Sequence, residues 1–320
     1  MIQSTSAPEP TTPGQTSPDA ASQKIDSPAA VSSGAKLPNI SPERAQAIRL
    51  VVLDIDGTIA GINNEINPVV IETVRAVQRR GIQVAIATGR MFHSALRFHQ
   101  ALQLNLPLMA YQGALIQDPV VGTLHRHWTL DPAKALHLLA YFEAVEFQQH
   151  LSVHAYVNDQ LYVRAITPET EQYCDRTGVT ATPVGDLRPL IEAQPPTKLL
   201  ALSENAAHID FLYTHLRSQY TPAELYLTKS IATFFEATNP SVNKGTAVKY
   251  VAEELLGLQP AQVMTLGDNF NDVEMLEYAG IGIAMGSAPL PVQAIADWVA
   301  PDVEQDGAAI ALRHILLNQG

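Results

Sequence analysis

The stretch Ile48-Arg49-Leu50-Val51-Val52-Leu53-Asp54-Ile55-Asp56-Gly57-Thr58 runs from a β-rich apolar segment straight into two carboxylates and a glycine. A continuous apolar run bounded by polar turn residues suits a buried parallel strand. Asp is unfavourable within a strand, so Asp54 at the end of one calls for a reason. Downstream, Asn67-Pro68 predicts a helix start, with Asn as N-cap and Pro in the first helical position. Ile71, Val74 and Val77 supply its apolar face and Gly81 its stop. A second apolar run, Ile82 to Ala87, ends at Thr88-Gly89-Arg90. Strand, helix, strand is the unit of a parallel α/β sheet.

The same alternation returns near the C-terminus. A helix is expected over Gly245 to Leu256, strands over Val263 to Leu266 and Ile281 to Ala284, and a short helix over Val273 to Tyr278. A last short strand is expected at Trp298 to Ala300 and a terminal helix over Gly307 to Leu317. Between the two halves the pattern is mixed. Helical segments near 132–145 and 206–219 alternate with strand-like segments near 153–157, 160–164, 197–202 and 232–237. Asn158-Asp159 suits a hairpin turn between two of them. The expected fold class is α/β, a Rossmann-like parallel-sheet core with an inserted α+β domain over residues 131–237. The core is expected over 41–130 and 238–320, and residues 1–40, rich in Ser, Thr, Pro and Ala, read as a disordered tail.

Composition narrows the function. The chain has 320 residues, 46% hydrophobic and 16% charged, which fits a globular protein with a sizeable core. Its net charge of −12 and its lack of a Lys/Arg cluster argue against nucleic-acid binding. No apolar run reaches the roughly 18 residues of a membrane span, and Met1 to Gln15 lack the basic start and apolar centre of a signal peptide. The single cysteine, Cys174, permits no internal disulfide and reads as a packing residue. A cytoplasmic location is expected. The ten histidines form no metal-ligand pattern, and His125-Arg126-His127 reads as a loop or strand with alternating faces.

Three strands end in polar residues: Asp54, Thr88 and Asp268. Open parallel sheets bind ligands beyond the carboxyl ends of their strands, so these residues meet at one edge. Asp54, Asp56, Asp268 and Asp272 in one small space repel unless a cation lies among them. Mg²⁺ takes oxygen ligands and keeps several waters, so two or three carboxylates suffice. Thr88 offers a hydroxyl and the N–H groups of a turn to phosphate oxygens. Lys244, at a predicted helix start in Asn243-Lys244-Gly245, can neutralise a phosphoryl group or hold a nucleophile ionised. Together these point to phosphoryl transfer. Each signal alone has a plainer reading: Asp-x-Asp-Gly occurs in turns and calcium loops, and Gly267-Asp268-Asn269-Phe270-Asn271-Asp272 could be a turn and an N-cap.

In this order the four segments resemble the motifs of the haloacid dehalogenase-like hydrolase superfamily. Asp54-Ile55-Asp56-Gly57-Thr58 is similar to its first motif, Thr88 to the second, Lys244 to the third, and Gly267-Asp268 through Asp272 to the fourth. The long insert resembles a type B class-two cap, which places the chain nearest the Cof-like branch of sugar-phosphate-type phosphatases. Gly282-Ile283-Ala284-Met285-Gly286 and Asp306-Gly307 are similar to that branch too. The resemblance implies that Asp54 attacks phosphorus to form an aspartyl-phosphate, while Asp56 protonates the leaving oxygen and then deprotonates water. It implies Mg²⁺ on Asp54, on the Asp56 carbonyl and on Asp268. It implies phosphoryl oxygens held by the Ile55 backbone, Thr88, Gly89, Lys244 and Asn271, with Asp272 orienting Lys244 or a metal-bound water. Two positions depart from the family: Gln112 in Tyr111-Gln112-Gly113-Ala114 and Ser287 both stand where Asn is usual. The expected function is a Mg²⁺-dependent phosphatase of a small phosphorylated metabolite, a sugar, cofactor or nucleotide phosphate. It would act as a monomer or homodimer without nucleic-acid or membrane partners. A phosphomutase of the same fold and a non-catalytic phosphate-ligand binding protein remain as alternatives.

Overall fold

The computed structural model describes residues 40–144 and 150–318. Nearly all of the expected tail therefore lies outside the described residues, as does the last residue of the helix expected near 132–145. The strands are β1 (Leu50–Leu53), β2 (Gln83–Ile86), β3 (Leu108–Ala110), β4 (Leu115–Gln117), β5 (Leu124–His127), β6 (Ser152–Val157), β7 (Gln160–Val163), β8 (Ala181–Pro183), β9 (Lys198–Leu202), β10 (Tyr226–Lys229), β11 (Phe234–Thr238), β12 (Val263–Gly267), β13 (Ile281–Ala284) and β14 (Trp298–Val299).

Five strands form a parallel sheet in the order β14-β13-β12-β1-β2. β1 lies between β12 and β2, and all four of its residues are buried. A strand covered on both faces must be apolar throughout, which is why Leu50-Val51-Val52-Leu53 shows no alternation. Leu53 is level with Leu266 of β12 and Ile86 of β2. That register brings the chain out of three adjacent strands at the same height, at Asp54, Thr88 and Asp268. A single bridge, Ala87 to Met109, hands the sheet over to a small antiparallel sheet, β3-β4-β5.

The helix expected after Asn67-Pro68 spans Pro68–Arg79 and buries Val70, Thr73, Val74 and Val77. Asn67 occupies the N-cap position, but its side chain makes no capping hydrogen bond. Gly81 follows the helix with φ +80°, a backbone conformation that suits glycine. The two C-terminal helices are less regular than expected. Lys244–Lys249 and Gly307–Leu312 are α-helical, then continue as wider π turns over Tyr250–Leu255 and Arg313–Leu317.

The inserted region builds a six-stranded sheet in the order β10-β11-β9-β6-β7-β8. Asn158 and Asp159 join β6 to β7 with φ of 50° and 56°, the conformation of a type I′ hairpin. One face of this sheet packs on the helices Pro132–Phe142, Arg188–Ala193 and Ala206–Gln219 through Leu139, Phe142, Ile191, Leu199, Leu212 and Phe235. The opposite face carries Tyr156, Leu200 and Leu202 into the cluster that includes Leu53 and Ile55. Along β9 the side chains alternate, so Lys198 shares the face of Leu200 and Leu202. Glu236 on β11 is level with Leu200 and shares that face as well. Half-buried Cys174 also packs against this cluster. Among the described residues no helix is long and apolar enough to cross a membrane.

Candidate active site

Asp54 leaves β1 with its N–H donating to the Leu266 carbonyl at 3.0 Å, and it is 4% exposed. Lys244 reaches it from the first turn of its helix. That turn is fixed by Asn243 and Thr246, which cap each other reciprocally. Lys244 Nζ donates to Asp54 Oδ1 at 2.6 Å and to Asp272 Oδ1, and its side chain is wholly buried. Asp272 is held in turn: its Oδ2 accepts the N–H groups of Asp268 at 2.8 Å and Asn269 at 3.0 Å. Burial acts to strip the proton from Lys244, but Asp272 and Asp54 outweigh it and raise its pKa. Lys244 therefore stays charged and favours the carboxylate form of Asp54 against burial.

The acids still outnumber their cations. Burial, with the neighbouring charges of Asp272 and Asp54, pushes the Asp268 carboxyl up to about 9. No hydrogen bond to its side chain offsets this among the described residues. Burial also pushes Asp54 up to about 7, against Lys244 and with Asp272 and Asp56. Carboxylate oxygens of Asp54, Asp268 and Asp272 lie within 4.8 Å of one another. Such a set of hard oxygen donors with excess negative charge fits a Mg²⁺ ion. Both Asp272 oxygens already accept hydrogen bonds, which leaves Asp54 and Asp268 as the better placed side-chain ligands. Gly57 keeps the approach open: at φ +76°, a Cβ there would lie 2.1 Å from Asp268 Oδ2.

Asp56 points across the cavity, and its side chain is 44% exposed. Arg90 grips it in a fork, Nε to Oδ2 at 2.7 Å and one terminal nitrogen to Oδ1 at 2.6 Å. Burial in the cleft pushes the Asp56 pKa up, but the Arg90 hydrogen bonds and the charges of Arg90, Arg176 and Lys244 prevail and lower it. The other terminal nitrogen of Arg90 is buried without a hydrogen-bond partner. Thr88 Oγ1 accepts the Arg90 N–H at 3.1 Å, so its own proton remains free to turn towards a ligand. Asn271 is buried and leaves Oδ1 without a partner.

A second layer comes from the inserted sheet and was not read from the sequence as site residues. Lys198 Nζ donates to the Gly89 carbonyl at 2.8 Å and to Glu236 Oε2 at 3.3 Å. Glu236 also accepts from Ser230 and, at 3.2 Å, from Gln112 Nε2. Gln112 Oε1 accepts from Asn271 at 3.2 Å. The amide at position 112 thus bridges the Asn271 loop to the inserted sheet, a reach that the shorter Asn side chain lacks. Gln112 is fully buried at φ 61° and its amide lies against Gly89: a Cβ on Gly89 would be 2.5 Å from Gln112 Nε2, so the amide would have to shift. The usable signal was one charged residue in each apolar run, Lys198 before Leu199-Leu200-Ala201-Leu202 and Glu236 after Phe234-Phe235.

These groups enclose a cavity of about 50 Å³ lined by Asp54, Asp56, Gly89, Arg90, Asp268 and Asn271 on one side. Tyr173, Arg176, Lys198, Glu236 and Phe234 line the other. The structure brings every sequence-predicted side chain to this edge or just behind it. His125 and His127 lie elsewhere on β5, where His127 hydrogen-bonds Thr197 Oγ1. Ser287 follows β13 and is exposed.

The sequence pattern described as haloacid dehalogenase-like hydrolase matches residues 51–312. Phosphatase YwpJ of Bacillus subtilis is 26% identical, over 84% of this chain and 100% of that protein. The 5-amino-6-(5-phospho-D-ribitylamino)uracil phosphatase YitU of the same organism is 27% identical, over 83% of this chain and 96% of its own. Among solved structures, a haloacid dehalogenase-like hydrolase from B. subtilis shares the fold with a TM-score of 0.74 and 23% identity, over 84% of this chain and all of that one.

Proposed function

Because the chain belongs to the haloacid dehalogenase-like hydrolase family, we propose that it is a Mg²⁺-dependent phosphatase that hydrolyses a small phosphate monoester through an aspartyl-phosphate on Asp54. The core is taken as residues 41–130 and 238–320 and the cap as 131–237. The observation that supports this reading most is the pairing of Asp54 with buried, charged Lys244 beside an Asp268 carboxylate that has no cation of its own. Lys244 keeps the Asp54 oxygen ionised and directed. That oxygen attacks phosphorus, the P–O bond to the alcohol breaks, and the leaving oxygen takes a proton from Asp56. Asp56, then a carboxylate, removes a proton from the water that cleaves the acyl phosphate. Arg90 already favours Asp56 as the base of this second half. A dianionic phosphoryl group beside Asp56 raises its pKa towards its acid role. Bound at Asp54, Asp268 and the Asp56 carbonyl, Mg²⁺ would neutralise the acids and stabilise charge on the phosphoryl oxygens. Ile55, Thr88, Gly89 and Asn271 complete the phosphoryl cradle, and Asp272 fixes Lys244.

The test is phosphate release from p-nitrophenyl phosphate with Mg²⁺ and with chelator. Mg²⁺-dependent release that Asp54→Asn abolishes is expected. Undiminished release by Asp54→Asn would remove the nucleophile from this reading. Isomerisation of a sugar 1-phosphate without free phosphate would favour a mutase instead.

A further inference from the structure

Between β3 and β4 the chain turns through Tyr111, Gln112 and Gly113, with φ of 53°, 61° and 97°. Two successive non-glycine residues in the left-handed region are unfavourable and persist only where the surroundings hold them. The backbone of this turn is held by the core. The Tyr111 N–H donates to the Arg90 carbonyl at 2.9 Å and the Gln112 N–H to the Thr88 carbonyl at 2.8 Å. The turn thus fixes the segment that presents Thr88 and Arg90. Its two side chains reach the inserted sheet instead. Tyr111 donates its hydroxyl to Asp159 Oδ1 at 2.7 Å in the β6–β7 hairpin, and Gln112 Nε2 donates to Glu236 on β11.

The Gln112 amide also has a direction. Glu236 is paired with Lys198 and receives the Ser230 hydroxyl. A carboxylate only accepts hydrogen bonds, so the NH2 end of Gln112 must face it. Gln112 Oε1 is then turned to Asn271, whose Nδ2 donates to it at 3.2 Å. Turning Asn271 over would set its oxygen against Gln112 Oε1. Turning Gln112 over would set its oxygen against Glu236. Gln112, Glu236 and Asn271 are all buried, where such mismatches are costly.

Resting on the phosphatase reading, we propose that Gln112 is a positioning residue that transmits the seating of the inserted sheet to the phosphoryl site. Glu236 sets the Gln112 amide, and Gln112 sets the Asn271 amide. Asn271 lines the small cavity together with Asp54 and Asp268. An amide fixed there in advance need not reorganise as charge builds on the phosphoryl oxygens. When the inserted sheet is displaced, Gln112 loses Glu236 and both amides are free to turn. Gln112 acts through Asn271, so its loss falls on turnover rather than on substrate binding.

The test follows p-nitrophenyl phosphate hydrolysis by the full-length protein with Mg²⁺, below the melting temperature of each variant as found by calorimetry. Gln112→Met keeps the side-chain length and loses both bonds. It is expected to lower kcat about tenfold and to change KM by less than about threefold. Gln112→Glu keeps the shape, and only its protonated form can donate to Glu236 while accepting from Asn271. Glu236, with Lys198 behind it, is the charged partner that position 112 meets. At about pH 6 Gln112→Glu is expected to turn over at least about threefold faster than Gln112→Met. Wild-type kcat in Gln112→Met, a loss confined to KM, or a Gln112→Glu no faster than Gln112→Met at that pH would each overturn the proposal. Should Gln112→Met not fold, the ratio of Gln112→Glu to wild-type kcat decides. It is expected to fall at least about threefold from about pH 6 to about pH 8.5, and a constant ratio would overturn the proposal. Lack of Mg²⁺-dependent release by the wild type removes the phosphatase reading and this proposal together.

Discussion

Lys244 and Lys198 are both buried, Lys244 behind Asp54 on the core side of the cavity and Lys198 lining the cavity from the other side. Lys244 belongs to the core and meets two carboxylates, with Asp268 and Asp56 close by. Lys198 belongs to the six-stranded sheet and meets one carboxylate and one carbonyl. On the core side negative charge is in excess and calls for a metal. On the other side charge is balanced, and Lys198 closes the gap to Gly89. The core side is preset by parallel register, while the cap side is complete only where two separate sheets touch. The two sides of the cavity are thus built on different principles.

The largest test of this contrast is Asp54→Asn. Turnover is expected to fall on the order of 10⁴-fold with the melting temperature little changed, as steady-state kinetics and calorimetry would show. Next come the two lysines themselves. Lys244→Met leaves Asp54 and Asp272 buried and facing each other, and should cost about 3–5 kcal/mol in urea unfolding without metal. Lys198→Met leaves Glu236 with Ser230 and Gln112 as donors, and should cost only about 1–3 kcal/mol. Equal losses would erase the contrast.

Metal is the third lever. The native pKa values of Asp54 and Asp268, about 7 and about 9, lie above the ordinary carboxylate range. The native state therefore holds protons that the unfolded state releases, and metal-free stability should fall as pH rises from about 4 to 9. Saturating Mg²⁺ held by Asp54 and Asp268 would replace those protons. A gain of about 2.7 kcal/mol at 100 times Kd, or roughly 5–10 °C in melting temperature, is expected at high pH and should shrink towards pH 5. A pH-independent gain would place the ion elsewhere.

The smallest effect belongs to the cap sheet. Burial, helped by the Lys198 charge, drives His154 down to about 3, so it stays neutral in the fold. Its depressed pKa means stability that is present above pH 6.5 and lost as pH falls below it. From pH 7 to 5 the loss should be about 2 kcal/mol. His154→Asn should flatten that limb of a urea-unfolding series, and an unchanged slope would remove His154 as the source of the loss.

The core was legible in the sequence because parallel strands are unbroken apolar runs and their ends are punctuated. Asp54, Thr88 and Asp268 each follow such a run. The cap was less legible. The helix Pro168–Thr177 was missed because it presents Thr170, Tyr173 and Thr177 inward rather than an aliphatic stripe. Strands β3 and β4 have three residues each, too short to show a period. The Arg90 fork on Asp56 joins positions 34 apart that no local pattern links. Lys198 and Glu236 each sit in an otherwise apolar strand, and only the pairing of β9 with β11 shows that both face the site.

The contact between Gly89 and Gln112 also limits how this site can be re-engineered or can drift. A side chain at position 89 meets the amide end of Gln112, so Gln112 must turn aside and give up its bonds to Asn271 and Glu236. Shortening residue 112 breaks the same bridge. The two positions are therefore coupled: a library that enlarges position 89 or shrinks position 112 is expected to loosen the contact between the Asn271 loop and the inserted sheet before any new pocket opens.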